Sequence, residues 1–304
     1  MLRYKDLIFI PFYPLFRFTY NRYRKHGDFP KVMDSFETIE AIKSGKSLSR
    51  FGDGELGIIS RGRNIGFQSA DNRLGMELKR VLQSDNDNCM IGLPDIFDGM
   101  ENRKLESRLF WTYTLVRNWK KWRRLIKSDK VYADTQATRF YINYTDSAFS
   151  EKIVEKWKEV WSNRHVLVVE GEKTKLGIGN DLFGNVRSME RILCPAHNAY
   201  AAYNDILKAI TSRYTPEKNF LILLALGPTA TVLAYDLAQA GYHAIDIGHI
   251  DLEYMWMRMG VEKVSAVKGK EVNEYHGAQM DCETTDLSYL RQVVETVFVS
   301  EDML

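Results

Sequence analysis

Two acids separated by one glycine follow a short predicted strand near the start of the chain. Asp53, Gly54 and Glu55 come directly after residues 47–51, which have the pattern of a strand. In an extended chain, residues two apart project to the same side, and the glycine between them lets a ligand approach the backbone. Two carboxylates at a strand end suit Mg²⁺ or Mn²⁺ when phosphates supply the remaining ligands. We predict that Asp53 and Glu55 bind such a metal; a polar turn is the alternative reading.

Basic and glycine-rich positions near other strand ends could bind phosphate. Arg50 precedes the two acids and would bind a phosphate through two parallel hydrogen bonds, or otherwise form a surface ion pair. Lys175 lies in a glycine-containing segment after the strand predicted over 165–169, where backbone N–H groups can surround a phosphate. The Gly227-Pro228-Thr229 turn opens a predicted helix, and the N-terminus of a helix is a natural anion site.

A third polar cluster follows the strand predicted over 243–247. His249, Asp251 and Glu253 alternate with apolar residues, so in an extended chain His249 and Asp251 face the same side. A base in this position would remove the proton from an acceptor hydroxyl. We predict Asp251 as the base and His249 as a metal or phosphate contact. Glu253 continues the alternation unless a helix begins at Asp251, and His249 could instead be a buried structural histidine.

The elements that would position these residues alternate along the C-terminal half of the chain. Residues 220–226 form a continuous apolar run, as strands of parallel sheets do. A helix with an apolar face at spacings i, i+3, i+4 and i+7 follows, and then the strand at 243–247. This βαβ pattern predicts an α/β, Rossmann-like fold with a largely parallel sheet flanked by helices. Residues 74–160 read as mostly helical, and Asp34 with Glu37 predicts a capped helix start.

Composition excludes several classes of protein and singles out the N-terminal region. The formal net charge of +2 argues against nucleic acid as a partner. The three cysteines lie far apart, which fits a reducing cytoplasm and supports neither a zinc site nor a disulfide framework. Residues 1–27 hold eight aromatic residues and six cations against one acid. We predict an arm at 1–34 that contacts an anionic membrane through residues 1–30, or else packs on the domain or a partner subunit.

Five ordered motifs together resemble the GT-D fold glycosyltransferases, first catalogued as domain of unknown function 1792. The motifs are Ser49-Arg50-Phe51-Gly52-Asp53-Gly54-Glu55, Glu170-Gly171-Glu172 with Gly179-Asn180-Asp181-Leu182-Phe183, Cys194-Pro195 with Asn198-Ala199, Leu226-Gly227-Pro228-Thr229-Ala230, and Asp246-Ile247-Gly248-His249-Ile250-Asp251. The resemblance covers about residues 35–280. It implies a D-x-E metal motif at Asp53 and Glu55 and a UDP-sugar donor. The donor contacts that follow are Arg50, Glu172, Lys175, Asn180, Asp181, Gly227, Pro228 and Thr229. Lys175 stands where the family pattern leads us to expect arginine, which gives a less directional phosphate contact.

We therefore predict a metal-dependent glycosyltransferase with one catalytic domain over 35–304. It would use Mn²⁺ or Mg²⁺ and a UDP-sugar, and transfer the sugar to a glycan, glycoprotein or lipid-linked glycan acceptor in bacterial glycoprotein or surface-polysaccharide assembly. A positioned base suggests inversion of the anomeric centre. The expected location is the cytoplasm, peripherally on the inner face of the plasma membrane. The alternative is a non-catalytic nucleotide- or glycan-binding subunit that recruits a partner transferase. A nucleotide-dependent kinase ranks lower because the sequence has no P-loop signature.

Overall fold

The computed structural model describes residues 11–26, 29–275, 277 and 286–298. Cys282 and the first ten residues of the predicted arm therefore lie outside the described residues. The helices and strands follow one another as α1 (Tyr13–Lys25), β1 (Lys31–Val32), α2 (Ser35–Lys43), β2 (Ser47–Arg50), α3 (Asp53–Arg61), α4 (Asn72–Leu82), β3 (Cys89–Leu93), α5 (Leu105–Trp122), β4 (Val131–Asp134), α6 (Ser147–Trp161), β5 (His165–Gly171), β6 (Ser188–Cys194), α7 (Tyr203–Arg213), β7 (Phe220–Ala225), α8 (Pro228–Gln239), β8 (Ala244–Asp246), α9 (Ile250–Met259), α10 (Leu287–Gln292) and β9 (Val293–Thr296).

One sheet organises the described part of the chain. Its nine strands are ordered β1-β4-β3-β2-β8-β7-β5-β6-β9, and every described pairing between neighbours is parallel. The prediction of an α/β fold with a parallel sheet is thus confirmed. In β5, Val166 and Val168 pack on one face while Leu167 and Val169 pack on the other, so both faces are buried. Helices α3, α4, α5, α7 and α8 cover one face, and α2, α6 and α9 cover the other.

Local signals fixed some boundaries and missed others. Helix α2 begins with the predicted capping box, in which Asp34 accepts from the backbone of Glu37 and the Glu37 side chain bonds back. The middle of the chain contains α4, α5 and α6, but it also contains β3 and β4, so the expectation of a mostly helical middle is incomplete. Each of these two strands is paired on both sides, and a short apolar run of this kind cannot be told from a buried helix segment by periodicity alone.

The predicted arm contributes one strand to the sheet. Strand β1 lies within residues 1–34 and pairs with β4, and the Met33 N–H also donates to the Tyr132 carbonyl at 2.8 Å. Within the described ranges, no helix combines the length and apolar character that crossing a bilayer requires.

Candidate active site

Two switch points in strand order place crevices at the carboxyl edge of the sheet. The chain leaves β2 towards β3 on one side, whereas after β8 it continues towards β9 on the other side. A second divergence separates β5, which leads to β6, from β7, which leads to β8. Ligands of open α/β sheets bind outside the carboxyl ends of strands at such points. All predicted site residues follow the carboxyl ends of these four strands, or end β2 in the case of Arg50.

Asp53 and Glu55 lie in the first turn of α3 and not in an extended loop. The expectation that both project to one side of a strand is therefore wrong, because Gly52 caps the helix and Asp53 is its first residue. Acids in a first turn are stabilised by the helix dipole, which explains why this sequence folds as a helix. One oxygen of Glu55 accepts from the Gly52 N–H at 2.8 Å, in the manner of a capping box.

These two carboxyl groups retain free coordinating capacity. Asp53 makes no hydrogen bond or ion pair with any described residue, and the second oxygen of Glu55 has no such partner either. Burial raises the pKa of Glu55 to about 7, and the negative charge of Asp246 adds to this effect. Burial also raises the pKa of Asp53, while the charge of Arg139 opposes the rise. Both side chains are nevertheless partly accessible to solvent.

Arg50 is held between strands β2 and β8 by a buried ion pair. Its Nη1 lies 3.3 Å from Oδ1 of Asp246, whose side chain is 5% exposed, and its Nη2 donates to the Thr135 carbonyl at 3.3 Å. Gly248 has a φ of +48°, and a Cβ at this position would collide with the guanidinium of Arg50. The Nε of Arg50 is buried and has no hydrogen-bond partner within the described chain. Arg50 thus forms an ion pair, as the alternative interpretation expected. The pair is buried at the switch point and does not lie on the surface.

His249 belongs to a charged network that the sequence did not reveal. Glu274 receives both Nη atoms of Arg139, and its Oε1 also lies 3.3 Å from Nδ1 of His249. Burial opposes ionisation of Glu274, but Arg139 and His249 outweigh it and hold its pKa well below the ordinary value. Arg139 and Glu274 exert the largest charge effects on Asp53. His249 and Asp53 therefore flank the same Arg139–Glu274 pair.

Asp251 and Glu253 are enclosed by structural contacts, although Oε1 of Glu253 is buried without a hydrogen-bond partner among the described residues. The expected alternation with His249 is wrong, because helix α9 begins at Ile250 and rotates the three side chains apart. Asp251 is 2% exposed and fully engaged; its partners are the Gly177 N–H at 3.0 Å, the Asn180 amide at 2.7 Å and the ammonium of Lys270.

Glu253 is equally enclosed. It has no exposed surface, and one of its oxygens accepts from the N–H groups of both Tyr141 and Ile142 at 2.9 Å. Its other oxygen lies 3.6 Å from Nε of Arg139. This carboxylate fixes the loop that carries Arg139, and neither acid of α9 is open to an acceptor hydroxyl.

Two predicted donor contacts have other partners, and a third is exposed. Asn180 donates to Asp251 and accepts from the Leu182 N–H, so it stabilises its own loop. Asp181 accepts from Tyr254 at 2.6 Å and pairs with Lys158 at 2.9 Å, and these contacts lower its pKa to about 2. Glu172 is exposed at the end of β5.

Two further unpaired polar groups follow strands β5 and β7, which meet at the second switch point. Lys175 is 5% exposed, and its ammonium makes no hydrogen bond or ion pair with a described residue. Thr229 is fully buried in the first turn of α8, and its hydroxyl has no partner within the described ranges. Gly227 has a φ of +55°, and the ring of Phe67 packs where a Cβ would lie. Because buried polar groups are normally paired, an unpaired cation and hydroxyl beside a helix N-terminus suit an anion.

Sequence reasoning missed Arg139, Glu274 and Lys270 as parts of the site. They come from the loop after β4 and from the segment after α9, and no local spacing connects them to the strand-end motifs. Asp246 belongs to the motif Asp246-Ile247-Gly248-His249-Ile250-Asp251. An acid as the last residue of a buried strand is the sequence feature that could have identified it as part of the site. Among the described residues, no three His, Cys, Asp or Glu side chains form a metal-binding group by themselves.

Comparisons with known proteins agree with this architecture. A family model of the glycosyltransferase GT-D fold matches residues 48–275. A probable glycosyl transferase, Gly, of Streptococcus gordonii is 38% identical over 255 residues, which make up 83% of this chain and 36% of that protein. The glycosyltransferase GlyD of Streptococcus pneumoniae serotype 4 is 35% identical over 273 residues, 89% of this chain and 33% of that protein. The chain thus spans about a third of the length of these curated relatives.

Solved structures match over nearly their whole length. The domain of unknown function 1792, described as having a distinct glycosyltransferase fold, superposes with a TM-score of 0.85 at 33% identity, covering 91% of this chain and 99% of that one. A glycosyltransferase with this domain from Streptococcus sanguinis gives a TM-score of 0.82 at 34% identity, covering 89% and 100%. The sheet order, the strand-end site and these matches lead to one conclusion: this chain belongs to the family of glycosyltransferases with the GT-D fold.

Proposed function

We propose that this chain transfers a sugar from a UDP-sugar donor to an acceptor hydroxyl with the help of a divalent metal held by Asp53 and Glu55. The observation that carries the proposal is the free coordinating capacity of these two carboxyl groups at the switch point between β2 and β8. The acids of α9 at the same edge are enclosed by protein groups, whereas Asp53 makes no hydrogen bond or ion pair with a described residue. Hard oxygen ligands in this state suit Mn²⁺ or Mg²⁺ with phosphate completing the coordination.

The bound metal would supply Lewis-acid stabilisation of the charge that develops on the leaving diphosphate. The protein's own groups would bind the rest of the donor. Lys175 and the Thr229 hydroxyl in the first turn of α8 are unpaired donors for an anion. Arg50 pairs with Asp246, and its charge opposes the rise that burial causes in the pKa of this carboxyl group. The Nε of Arg50 is buried and has no hydrogen-bond partner within the described chain. We assign no donor contact to Asp181, whose oxygens are occupied by Lys158 and Tyr254.

His249 is the group that we propose as the base. Its Nδ1 faces Oε1 of Glu274, which is ionised because Arg139 and His249 hold its pKa well below the ordinary value. A hydrogen bond from Nδ1–H to this carboxylate leaves the lone pair on Nε2, which has no partner among the described residues. This arrangement orients the ring to accept a proton from an acceptor hydroxyl, and such a base supports inversion. Asp251 retains a structural role.

Only the resemblance to the family supports an acceptor and a location for the reaction. We propose a glycan, a glycoprotein or a lipid-linked glycan as acceptor, in bacterial glycoprotein or surface-polysaccharide assembly at the cytoplasmic face of the membrane. The relatives Gly and GlyD are named as glycosyltransferases, which supports the transfer reaction and leaves the sugar open.

A panel of nucleotide sugars tests the proposal directly. The chain is incubated with each donor and Mn²⁺, and the release of UDP or another nucleotide is measured with and without a metal chelator. We expect UDP from one donor and loss of release when metal is removed. Nucleotide binding without turnover of any donor in the presence of glycan acceptors would instead favour the non-catalytic subunit that recruits a partner transferase.

The role of His249 is tested by separating turnover from donor binding. We expect His249→Gln to lower transfer by about 100-fold or more, since a positioned base contributes roughly 10²–10⁴-fold, and to leave UDP affinity nearly unchanged. The matched control is His165→Gln, because His165 is exposed at the opposite, amino end of β5. Equal loss of UDP affinity and transfer in His249→Gln would make it a donor contact and not the base.

A further inference from the structure

Helix α1 has two faces, of which only one is covered. Phe16, Tyr20 and Tyr23 point towards the protein, and Tyr20 is 5% exposed with its hydroxyl donating to the Ile96 carbonyl at 3.0 Å. The other face carries large apolar side chains in contact with solvent. Phe12 is 53% exposed, Leu15 is 61% exposed and Phe18 is 66% exposed. Exposing apolar groups of this size is costly unless something covers them.

A stripe of cations near α1 begins on α5 and continues just past its last residue, Trp122. Phe16 contacts Tyr113 of α5 edge-on with ring centroids 5.3 Å apart, and the guanidinium of Arg117 lies over the same tyrosine. The stripe continues from Arg117 at helical spacings of i, i+3, i+4 and i+7, and all of its members are exposed. Its members are Arg117, Lys120, Lys121 and Arg124.

The two segments that carry this surface contain no acid of their own, although Asp98 pairs with Arg24 and Asp85 pairs with Lys127. Residues 11–26 and 107–128 include no Asp or Glu. Besides the stripe, α1 itself contributes exposed cations, of which Arg24 pairs with Asp98. We call the outward face of α1 (Phe12, Leu15, Phe18) together with the α5 stripe the α1–α5 surface. It combines apolar rings with a strong local positive charge on a chain whose net charge is only +2.

We propose that the α1–α5 surface binds an anionic membrane. Aromatic and leucine side chains enter the headgroup boundary while neighbouring cations attract anionic lipids, and this surface offers both. A second copy of the chain fits less well, because a two-fold contact would press two positive stripes against each other. The charge complementarity therefore favours a lipid surface over self-association.

The two ends of α1 lie towards different edges of the sheet. Tyr20 anchors the C-terminal part of α1 to residues 96–99, which follow the carboxyl end of β3. The cationic stripe lies at the other end, because the C-terminus of α5 leads to the start of β4 and Lys127 pairs with Asp85 just before β3. The lipid contact therefore does not depend on the proposed function.

Co-sedimentation with vesicles tests the membrane contact in the absence of any sugar donor. The full chain is mixed with vesicles of equal parts phosphatidylglycerol and phosphatidylcholine, or of phosphatidylcholine alone. One variant removes the apolar side chains (Phe12→Ser, Leu15→Ser, Phe18→Ser), and a second removes the stripe (Arg117→Gln, Lys120→Gln, Lys121→Gln, Arg124→Gln). The matched charge control neutralises four exposed cations elsewhere (Lys152→Gln, Arg187→Gln, Lys208→Gln, Lys218→Gln).

We expect the full chain to bind the anionic vesicles only, and each surface variant to bind at least about tenfold more weakly, since a cation near such a surface contributes about 1 kcal/mol. The matched control should bind within about twofold of the parent, although it loses the same formal charge. Circular dichroism and light scattering accompany each variant. Three outcomes would each overturn the proposal. The control could lose vesicle binding equally, the folded full chain could fail to bind vesicles, or the full chain could form a dimer that only the apolar variant dissociates.

Discussion

The acids after β2 and the acids after β8 lie at one edge of the sheet, yet their surroundings differ. Asp53 has no protein partner among the described residues and Glu55 uses a single oxygen, whereas Asp251 and Glu253 are enclosed by backbone N–H groups and cations. Both pairs occupy the first turn of a helix, so local structure does not explain the difference. Longer-range packing does: Lys270 and the N–H groups of residues 141 and 142 bond to the acids of α9 and not to those of α3. We propose that free coordinating capacity, and not residue type, distinguishes the acids that would bind a metal from the acids that hold the fold.

The largest effect should come from the acids with free oxygens. We expect Asp53→Asn and Glu55→Gln each to lower sugar transfer by about 1,000-fold or more, because each removes charge where metal and diphosphate would bind. Urea midpoints should stay close to the parent, since Asp53 makes no hydrogen bond or ion pair with a described residue and Gln can still accept from the Gly52 N–H in place of Glu55. Transfer is measured as nucleotide release with the preferred donor.

A matched control separates this effect from a change in helix dipole. Asp205 occupies the third position of α7, just as Glu55 occupies the third position of α3, and it is exposed. We expect Asp205→Asn to retain full transfer. A loss in Asp205→Asn as large as that in Glu55→Gln would remove the distinction between the two pairs of acids.

The enclosed acids should affect stability most. Asp251→Asn leaves the Lys270 ammonium buried without its counter-charge, and breaking a buried pair costs about 3–5 kcal/mol. We therefore expect a loss of about 4 kcal/mol in the free energy of unfolding, measured in urea. Adding Lys270→Met to this variant should restore part of the loss. If Asp251→Asn is as stable as the parent and the double variant is no better, the pair does not hold α9 in place.

The opposite edge of the sheet supplies a test of pH dependence away from the site. His243 precedes β8; its Nδ1 faces Arg164 and its Nε2 donates to the Lys46 carbonyl at 3.1 Å. Burial, and then the charge of Arg164, lowers its pKa to about 4. As the pH falls, the unfolded chain binds a proton at His243 before the folded chain does. The contribution of His243 to the free energy of unfolding is therefore fully present above about pH 6.5 and is lost as the pH falls towards 4.

The expected size is about 3 kcal/mol over that interval. The measurement is the free energy of unfolding between pH 7.5 and 4, compared between the parent and His243→Gln, so that other titrating groups cancel. The parent should lose more stability on acidification than the variant. Parallel curves would mean that His243 is not held neutral by its surroundings.

The smallest effect should come from Asp181, which the family pattern places among the donor contacts. Its oxygens are committed to Lys158 and Tyr254 at the surface. We expect Asp181→Asn to change UDP affinity by less than about twofold in calorimetry. A loss of tenfold or more would return this residue to the donor site.

The sequence predicted the elements with long apolar periodicity and the edge where the site lies. The βαβ unit of β7, α8 and β8 was evident because a continuous apolar run precedes a helix with one apolar face. Alternation did not predict where the side chains of these acids point, because the motifs at Asp53 and at Asp251 both continue into helices. Gly52 and Glu55 contain the capping signal that would have revealed the first of these helices. The partners Arg139, Lys270 and Glu274 come from distant segments, so only the folded chain shows which acids they enclose.

Calorimetry of UDP binding with and without Mn²⁺ tests the central comparison most directly. The quantity to compare is the ratio of the two affinities in the parent, in Asp53→Asn and in Asp251→Asn, each measured at a temperature where the variant is folded. We predict that Asp251→Asn keeps the enhancement by metal and that Asp53→Asn abolishes it, while both retain metal-free binding through the Lys175 and Thr229 region. Loss of the enhancement in Asp251→Asn with its retention in Asp53→Asn would contradict the assignment of the free acids to the metal.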